Sequence, residues 1–229
     1  MELKGKHLLI VGLGRSGLAA ARHVVSLGAH VTVNDALSRE QLQAKLSLLS
    51  DLPVTFELGH HSASLLQNKD AIILSPGISC DLELIQGARR KGIPIISELE
   101  VALYDVTAQV IAITGTNGKS TTTSLIGHLL EKMGFKVCVA GNIGIPLLEV
   151  LPAAKTSDVI VLEISSFQME TTPSLAPQVG VLLNITPDHL DRHPSFEAYA
   201  NLKGELLRRV PSHGVAIFNA ADEVVMRQM

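Results

Sequence analysis

Short apolar runs, rich in β-branched residues and four to eight residues long, recur along the whole chain, and each is closed by glycine, proline, serine or an acid. The first series lies at 7–11, 30–34, 54–57, 71–74 and 93–96, the second at 110–113, 136–140, 158–163, 179–185 and 215–219. Runs such as 7–11 and 179–185, which lack polar alternation, predict strands covered on both faces, while 30–34 and 54–57 read simply as strands. Between them the apolar residues switch to a spacing of three and four. Leu18, Ala21, Val24, Val25 and Leu27 share one helical face, as do Leu125, Ile126, Leu129, Leu130 and Met133. Further helices are expected over 42–49, 81–91 and 196–210, with a short one within 97–107. Gly28 stops the first helix and Ser195 is placed to cap the last. Strict alternation of strand and helix predicts an α/β fold with mostly parallel sheets.

Composition narrows the class. The 229 residues suffice for one large or two small domains, and at 46% hydrophobic they can build a sizeable core. With 3% aromatics and no Trp, that core must be aliphatic. The net charge is −3 and no basic stripe interleaved with aromatics is present, which argues against nucleic-acid binding. Cys80 and Cys138 sit in or beside apolar runs and read as buried thiols of a reducing compartment. No apolar run approaches membrane-spanning length, and the run after Lys4 and Lys6 breaks at Gly12 without a cleavage site, so a cytoplasmic protein is expected.

Two strand exits carry the candidate chemistry. After the run at 110–113 come Thr114, Gly115, Thr116, Asn117, Gly118, Lys119, Ser120 and Thr121, and then a helix. Strand, glycine-bearing loop, Lys-Ser, helix is the layout of a P-loop. Amides at a helix N-terminus attract phosphate oxygens, the lysine reaches the terminal phosphates, and the hydroxyl after it can ligate Mg²⁺. The strict spacing is not met, because its first glycine would fall at Ile113. Gly12, Gly14 and Gly17 form G-x-G-x-x-G after the first strand, with Arg15 and Ser16 inside the loop and Asp35 closing the second strand. This pattern fits a Rossmann-like turn for a nucleotide diphosphate without specifying which one.

Other candidates are weaker alone. Glu163 closes a strand of the P-loop unit and suits a Mg²⁺ site, although a solvent-facing glutamate at the sheet rim has the same signature. The loop from Gly141 through Asn142 to Pro146 lies at a strand's carboxyl end, where α/β proteins place ligands. Asp188, His189, Asp191, Arg192 and His193 cluster after a buried run, but Leu190 stands where the zinc pattern H-E-x-x-H needs its glutamate. His60 and His61 read as surface loop, and Lys203 by its helical position as a solvated lysine.

Together these motifs resemble the Mur ligases of peptidoglycan synthesis, their D-glutamate-adding branch in particular. The resemblance rests on residues 115–121, Gly12, Gly14, Gly17, Ser75-Pro76-Gly77-Ile78, Gly141-Asn142-Ile143-Gly144, the run Glu163 to Gln168 and the run 188–193. It implies a Rossmann-like domain over 1–98 that holds a UDP substrate, and a P-loop ATPase-type domain over 99–229. It implies ATP and Mg²⁺ as cofactors, UDP-N-acetylmuramoyl-L-alanine and D-glutamate as substrates, an acyl phosphate on the path between them, and a monomer. Lys119 would stabilise the β- and γ-phosphates. Ser120 and Glu163 would hold one Mg²⁺; His189 would ligate a second, supported by Lys203 if that residue is carbamylated. Gly14 to Gly17, Asp35 and Gly77 would face the UDP moiety, and Asn142, Ser165 and Gln168 the diphosphate or muramoyl part. The same family has a third, C-terminal domain that supplies D-glutamate contacts. The chain is therefore expected to be truncated inside the ATPase domain and inactive in ligation alone. Ala36 and Leu37 lack the polar groups of some relatives at the uracil.

Two other readings compete. An NAD-dependent oxidoreductase would account for the first glycine loop and Asp35 but leaves the second loop, Glu163 and the 188–193 cluster unexplained. A non-catalytic nucleotide-binding fragment accounts for both loops and no chemistry.

Overall fold

The computed structural model describes residues 2–190 and 192–229. The chain divides into two compact units, Met1–Tyr104 and Asp105–Met229. The first contains strands β1 (His7–Val11), β2 (His30–Asp35), β3 (Val54–Leu58), β4 (Ala71–Leu74) and β5 (Ile95–Ser97), and helices α1 (Arg15–Ser26), α2 (Arg39–Ser47), α3 (Glu83–Arg90) and α4 (Glu98–Leu103). The second contains β6 (Gln109–Thr114), α5 (Lys119–Lys132), β7 (Val137–Gly141), α6 (Leu151–Ala154), β8 (Val159–Glu163), α7 (Ser166–Thr171), β9 (Val179–Leu182), α8 (Phe196–Arg208), β10 (Val215–Phe218) and α9 (Glu223–Met226).

Each unit forms a five-stranded sheet among the described residues, in the orders β3-β2-β1-β4-β5 and β10-β9-β6-β8-β7. Every strand pair in both is parallel. This follows from the sequence for the inner strands, which are apolar on both faces and need crossover helices on both; the edge strands differ, since β3 carries Thr55 and Glu57 and β10, expected to be covered, is exposed at all four positions. In the first unit Leu9, Val11, Ile72, Leu74, Leu84 and Ile85 form a buried cluster on one side of the sheet. α4, at the end of this unit, packs on α1.

In the first unit the strand order reverses at β1 and β4, the place where open α/β sheets take ligands. The loop from Gly12 to Gly17 leaves β1 here. Its three glycines do different work. Gly12 has φ +94°, and a Cβ there would meet Ile78 and Ser75 at 2.8 and 2.9 Å. A Cβ on Gly17 would lie 2.0 Å from the Gly12 carbonyl oxygen. Gly14 faces open space. The first two are therefore demanded by packing, and only the third is spaced for a ligand's close approach.

Five other elements departed from expectation. α7 and the short α6 and α9 lacked sequence length for a periodicity to show. The strand expected at 179–185 ends at Leu182, which puts Asn184 in the loop beyond it. α5 carries a wider apolar arc than the sheet can cover: Ile126 and Leu130 pack on the sheet, whereas Leu125, Leu129 and Met133 are exposed. One stripe of a helix meets a sheet, and these three lie beside it.

Gly17→Ala should lower the urea unfolding stability of the first unit by about 3 kcal/mol, since a methyl cannot share space with a carbonyl oxygen. Gly14→Ala should change it by less than about 1 kcal/mol.

Candidate functional site

The second unit's site is built at the exit of its central strand. β6 lies between β8 and β9, and the register sets Ile113 opposite Glu163 and Thr114 opposite Leu182. Whatever follows β6 is thus flanked by the ends of both neighbours. The backbone passes through Gly115 (φ +154°) and Gly118 (φ +80°) before α5 begins at Lys119. Thr122 N–H closes the first helical turn onto the Gly118 carbonyl. The amides of Lys119, Ser120 and Thr121 precede any intrahelical acceptor and give this end of the helix its partial positive charge.

Glu163, at the end of β8, is 1% exposed. Its carboxylate accepts from the Ser120 hydroxyl at 2.7 Å and from the Asn142 side-chain amide at 2.7 Å. It is therefore not a rim glutamate facing solvent. Gly141, with φ +101°, lets the loop carrying Asn142 lie against it, since a Cβ there would meet the Glu163 carbonyl oxygen at 2.3 Å. On the β9 side, Asn184 grips the loop. Its side-chain oxygen accepts from the amides of Thr116 and Asn117 at 3.2 and 2.8 Å, and its side-chain nitrogen donates to the Asn117 carbonyl at 3.0 Å. Lys119 turns back to donate to the Thr116 carbonyl at 2.8 Å.

Lys203, which helical position alone reads as solvated, is 2% exposed. It lies on the inner face of α8, donates to the Gly115 carbonyl at 2.7 Å and sits 4.7 Å above the Tyr199 ring. Burial, reinforced by the nearby Lys119 charge and opposed by Asp188 and Glu163, brings its pKa down to about 7. A large fraction of this amine is therefore neutral at physiological pH.

The cluster after β9 separates into parts. Asp191 lies outside the described residues. His189 is half-exposed, has φ +52° and keeps its ring beside Phe167, with Nε2 3.5 Å from the Asp188 carboxylate. Arg192 lies over the same Phe167 ring, its guanidinium 4.6 Å from the centroid. His193 is buried and hydrogen-bonds Ser166. Of the candidate metal ligands, Ser120 and Glu163 are in contact. Among the described residues, no three His, Cys, Asp or Glu side chains gather in a metal-holding arrangement. A hydroxyl and one carboxylate beside this glycine loop still match the donor set of Mg²⁺, which takes hard oxygens from one or two side chains and completes its shell with phosphate and water.

Ser165 and Gln168 engage each other. The Ser165 hydroxyl caps α7 by accepting the Gln168 amide at 3.2 Å, and the Gln168 side-chain oxygen accepts from the Ser165 amide at 3.1 Å. In the first unit, the Asp35 carboxylate accepts from the Leu13 amide at 2.7 Å and the Leu37 amide at 2.9 Å, so it shapes the glycine loop. Ser75 donates to the Gly12 carbonyl at 2.8 Å. Gly14, at the N-cap of α1, and Arg15 and Ser16, in its first turn, surround the open position, and Gly77 follows β4 with no atom near its would-be Cβ. His61, expected on the surface, is half-buried and bonds Asn34 at 2.5 Å. Cys138 is buried, with its thiol pKa raised by burial, and Cys80 is half-buried.

Sequence patterns missed Asn184, Tyr199 and the role of His193. Asn184 carried one usable signal, a polar residue with both a donor and an acceptor at the carboxyl end of an otherwise apolar run.

Comparison with known proteins agrees with this geometry. The model of the Mur ligase middle domain matches residues 113–229, and that of the Mur ligase MurD-like N-terminal domain matches residues 6–97. The chain belongs to the Mur ligase family. Among curated relatives, the UDP-N-acetylmuramoylalanine–D-glutamate ligase of Koribacter versatilis is 46% identical over 223 residues, covering 97% of this chain and 49% of that protein. The enzyme of the same name from Caldanaerobacter subterraneus is 45% identical over 224 residues, covering 98% and 50%. The chain thus spans about half the length of the curated relatives it matches. Among solved structures, the UDP-N-acetylmuramate:L-alanyl-γ-D-glutamyl-meso-diaminopimelate ligase from Neisseria meningitides superposes with TM-score 0.61 at 20% identity, over 98% of this chain and 74% of that one. A murein peptide ligase from Psychrobacter arcticus does so with TM-score 0.56 at 22% identity, over 98% and 51%. At these identities the structural likeness establishes the fold. Among the described residues no helix is long and apolar enough to cross a membrane.

Two outcomes follow from the geometry. Asn184→Ala should destabilise the second unit by about 2 kcal/mol in urea unfolding, because it strips the Asn117 amide and carbonyl of their side-chain partner, while the Thr116 amide keeps the Asn184 backbone carbonyl at 3.0 Å. Lys203 holds its proton up to pH 10.5 when unfolded but only to about 7 when folded. Across that window the unfolded chain binds more protons, so folding stability rises with pH. Lys203→Met should flatten that rise in unfolding measured between pH 7 and 10.

Proposed function

We propose that this chain forms the UDP-substrate and ATP-binding part of a ligase that joins D-glutamate to UDP-N-acetylmuramoyl-L-alanine. ATP would phosphorylate the alanyl carboxylate, and the amine of D-glutamate would displace phosphate from the resulting acyl phosphate. The carrying observation is the Ser120–Glu163 contact of 2.7 Å at the base of a loop that also presents Lys119. The names of the relatives and the two domain matches support the same substrates. They leave the oxidoreductase reading without a counterpart for the second unit.

In this reading the residues act mostly by position and charge. The loop from Gly115 to Gly118, with the amides of Ser120 and Thr121, cradles the phosphates. Lys119 leaves the Thr116 carbonyl and neutralises charge on the β- and γ-phosphates. Ser120 and Glu163 hold Mg²⁺, which when bound draws charge from the phosphoryl oxygens. Asn142 keeps one oxygen of Glu163 fixed and, with Ser165 and Gln168, borders the sugar-diphosphate side. His189 stands at the rim as a ligand for a second ion. Lys203, half neutral and buried, can add CO₂ at its free electron pair with loss of a proton, which turns a cation into a carboxylate able to support that ion. In the first unit Gly14, Arg15, Ser16, Gly17, Asp35 and Gly77 receive the UDP moiety, Asp35 through the lone pairs its two amide bonds leave free. We assign the protein to the cytoplasm as a monomer, and the chain by itself as binding without ligating.

Calorimetric titration tests the assignment. The chain should bind Mg-ATP and UDP-N-acetylmuramoyl-L-alanine independently, and not NADH. Lys119→Ala should weaken Mg-ATP by about tenfold or more, the worth of one charge-assisted contact. Glu163→Gln should remove the dependence of ATP affinity on Mg²⁺. NADH binding without UDP-sugar binding would overturn the assignment, and amide formation by the purified chain would overturn its incompetence. Isotope-labelled bicarbonate should give a carbamate carbon resonance that Lys203→Met lacks.

A further inference from the structure

We infer that His193 is a positioning residue for the phosphate loop, holding Tyr199 against Thr116 on one side and tied to Ser166 on the other. The consequence for ATP rests on the nucleotide-binding assignment above; the positioning itself does not.

Thr116 fixes the direction of the first link. Its hydroxyl donates to the Thr186 carbonyl at 3.1 Å and accepts the Thr186 amide at 3.0 Å. The single hydroxyl proton is thereby used, so in the 3.1 Å contact with Tyr199 the tyrosine is the donor. Tyr199 is 1% exposed, and burial keeps its hydroxyl protonated.

The Tyr199 ring is held on two sides. Lys203 lies 4.7 Å from its centroid, and His193 meets it at 5.2 Å with the planes 49° apart. His193 is itself fixed twice. Its ring lies parallel to Phe167, 5.1 Å away at 5°, and its Nε2 is 2.9 Å from the Ser166 hydroxyl in a buried pair. Burial lowers the pKa of this imidazole, helped by His189, Lys203 and Arg192 and opposed by Glu170, so it is a neutral partner for the serine.

Ser166 is the first residue of α7, and Glu163 closes the strand just before it. One short segment therefore holds both ends of the phosphate loop. Glu163 fixes Ser120 directly, and Ser166 fixes Thr116 through His193 and Tyr199.

Hydrogen exchange on the full chain tests this without any ligand. Tyr199→Phe and His193→Ala should each speed exchange of the Thr116 and Asn117 amides about tenfold, the loss of roughly one hydrogen bond, with β1 amides unchanged. His193→Phe, which keeps the ring and loses the serine bond, should fall between wild type and His193→Ala and serves if the alanine variant does not fold. Mg-ATP affinity should drop in the same order. Unchanged exchange at Thr116 and Asn117 in Tyr199→Phe and either His193 variant overturns the inference. So does acceleration spread evenly over α7 and α8, which marks a general packing role. If wild type takes up no ATP, the nucleotide-binding assignment fails while the exchange pattern still decides this one.

Discussion

The backbone between Gly115 and Gly118 has to be held open, and the second unit is arranged around that requirement. A glycine-bearing loop between a strand and a helix has no ladder of its own to fix it, so its shape must come from outside. Here it comes from both neighbours of the central strand. Glu163 reaches Ser120 from the β8 side, and Asn184 takes two loop amides from the β9 side. Lys203 closes the arrangement from α8 by holding the Gly115 carbonyl. The strand order β10-β9-β6-β8-β7 is what makes this possible, because it puts the loop-bearing strand in the middle.

Two ionisable groups are buried in the process, and each finds a different solution. Glu163 has its carboxylate hydrogen-bonded by a hydroxyl and an amide, so its charge is compensated in place. Lys203 has one carbonyl partner and a pKa near 7, so it sheds much of its charge instead. An amine kept half neutral inside a protein is chemically competent in a way a surface lysine is not. The first unit shows the opposite economy. Its glycine loop is shaped by packing at Gly12 and Gly17 and by Asp35 on the Leu13 amide, leaving Gly14 as the open position.

Strand positions, parallel order and the two glycine loops were legible in the sequence. Buried parallel strands are apolar without interruption, and glycines directly after such a strand mark the turn into a helix. Ser195 as a cap was legible for the same kind of local reason, since its hydroxyl accepts from Ala198 three residues on. The helices α6, α7 and α9 were not, being four to six residues long and too short for a period to register.

The sequence by itself determined which residue types stand at which strand exits, because strand, loop and helix are set by patterns within a few residues. Tertiary structure decided which of those residues meet. Glu163 lies 43 positions from Ser120, Asn184 lies 67 from Asn117, and Lys203 lies 88 from Gly115. Contacts at such separations depend on strand order and register, which no local pattern encodes. Burial of Lys203 is the sharpest case. Its neighbours along α8 are mixed in polarity, and only the sheet beneath that helix decides that this lysine faces inward.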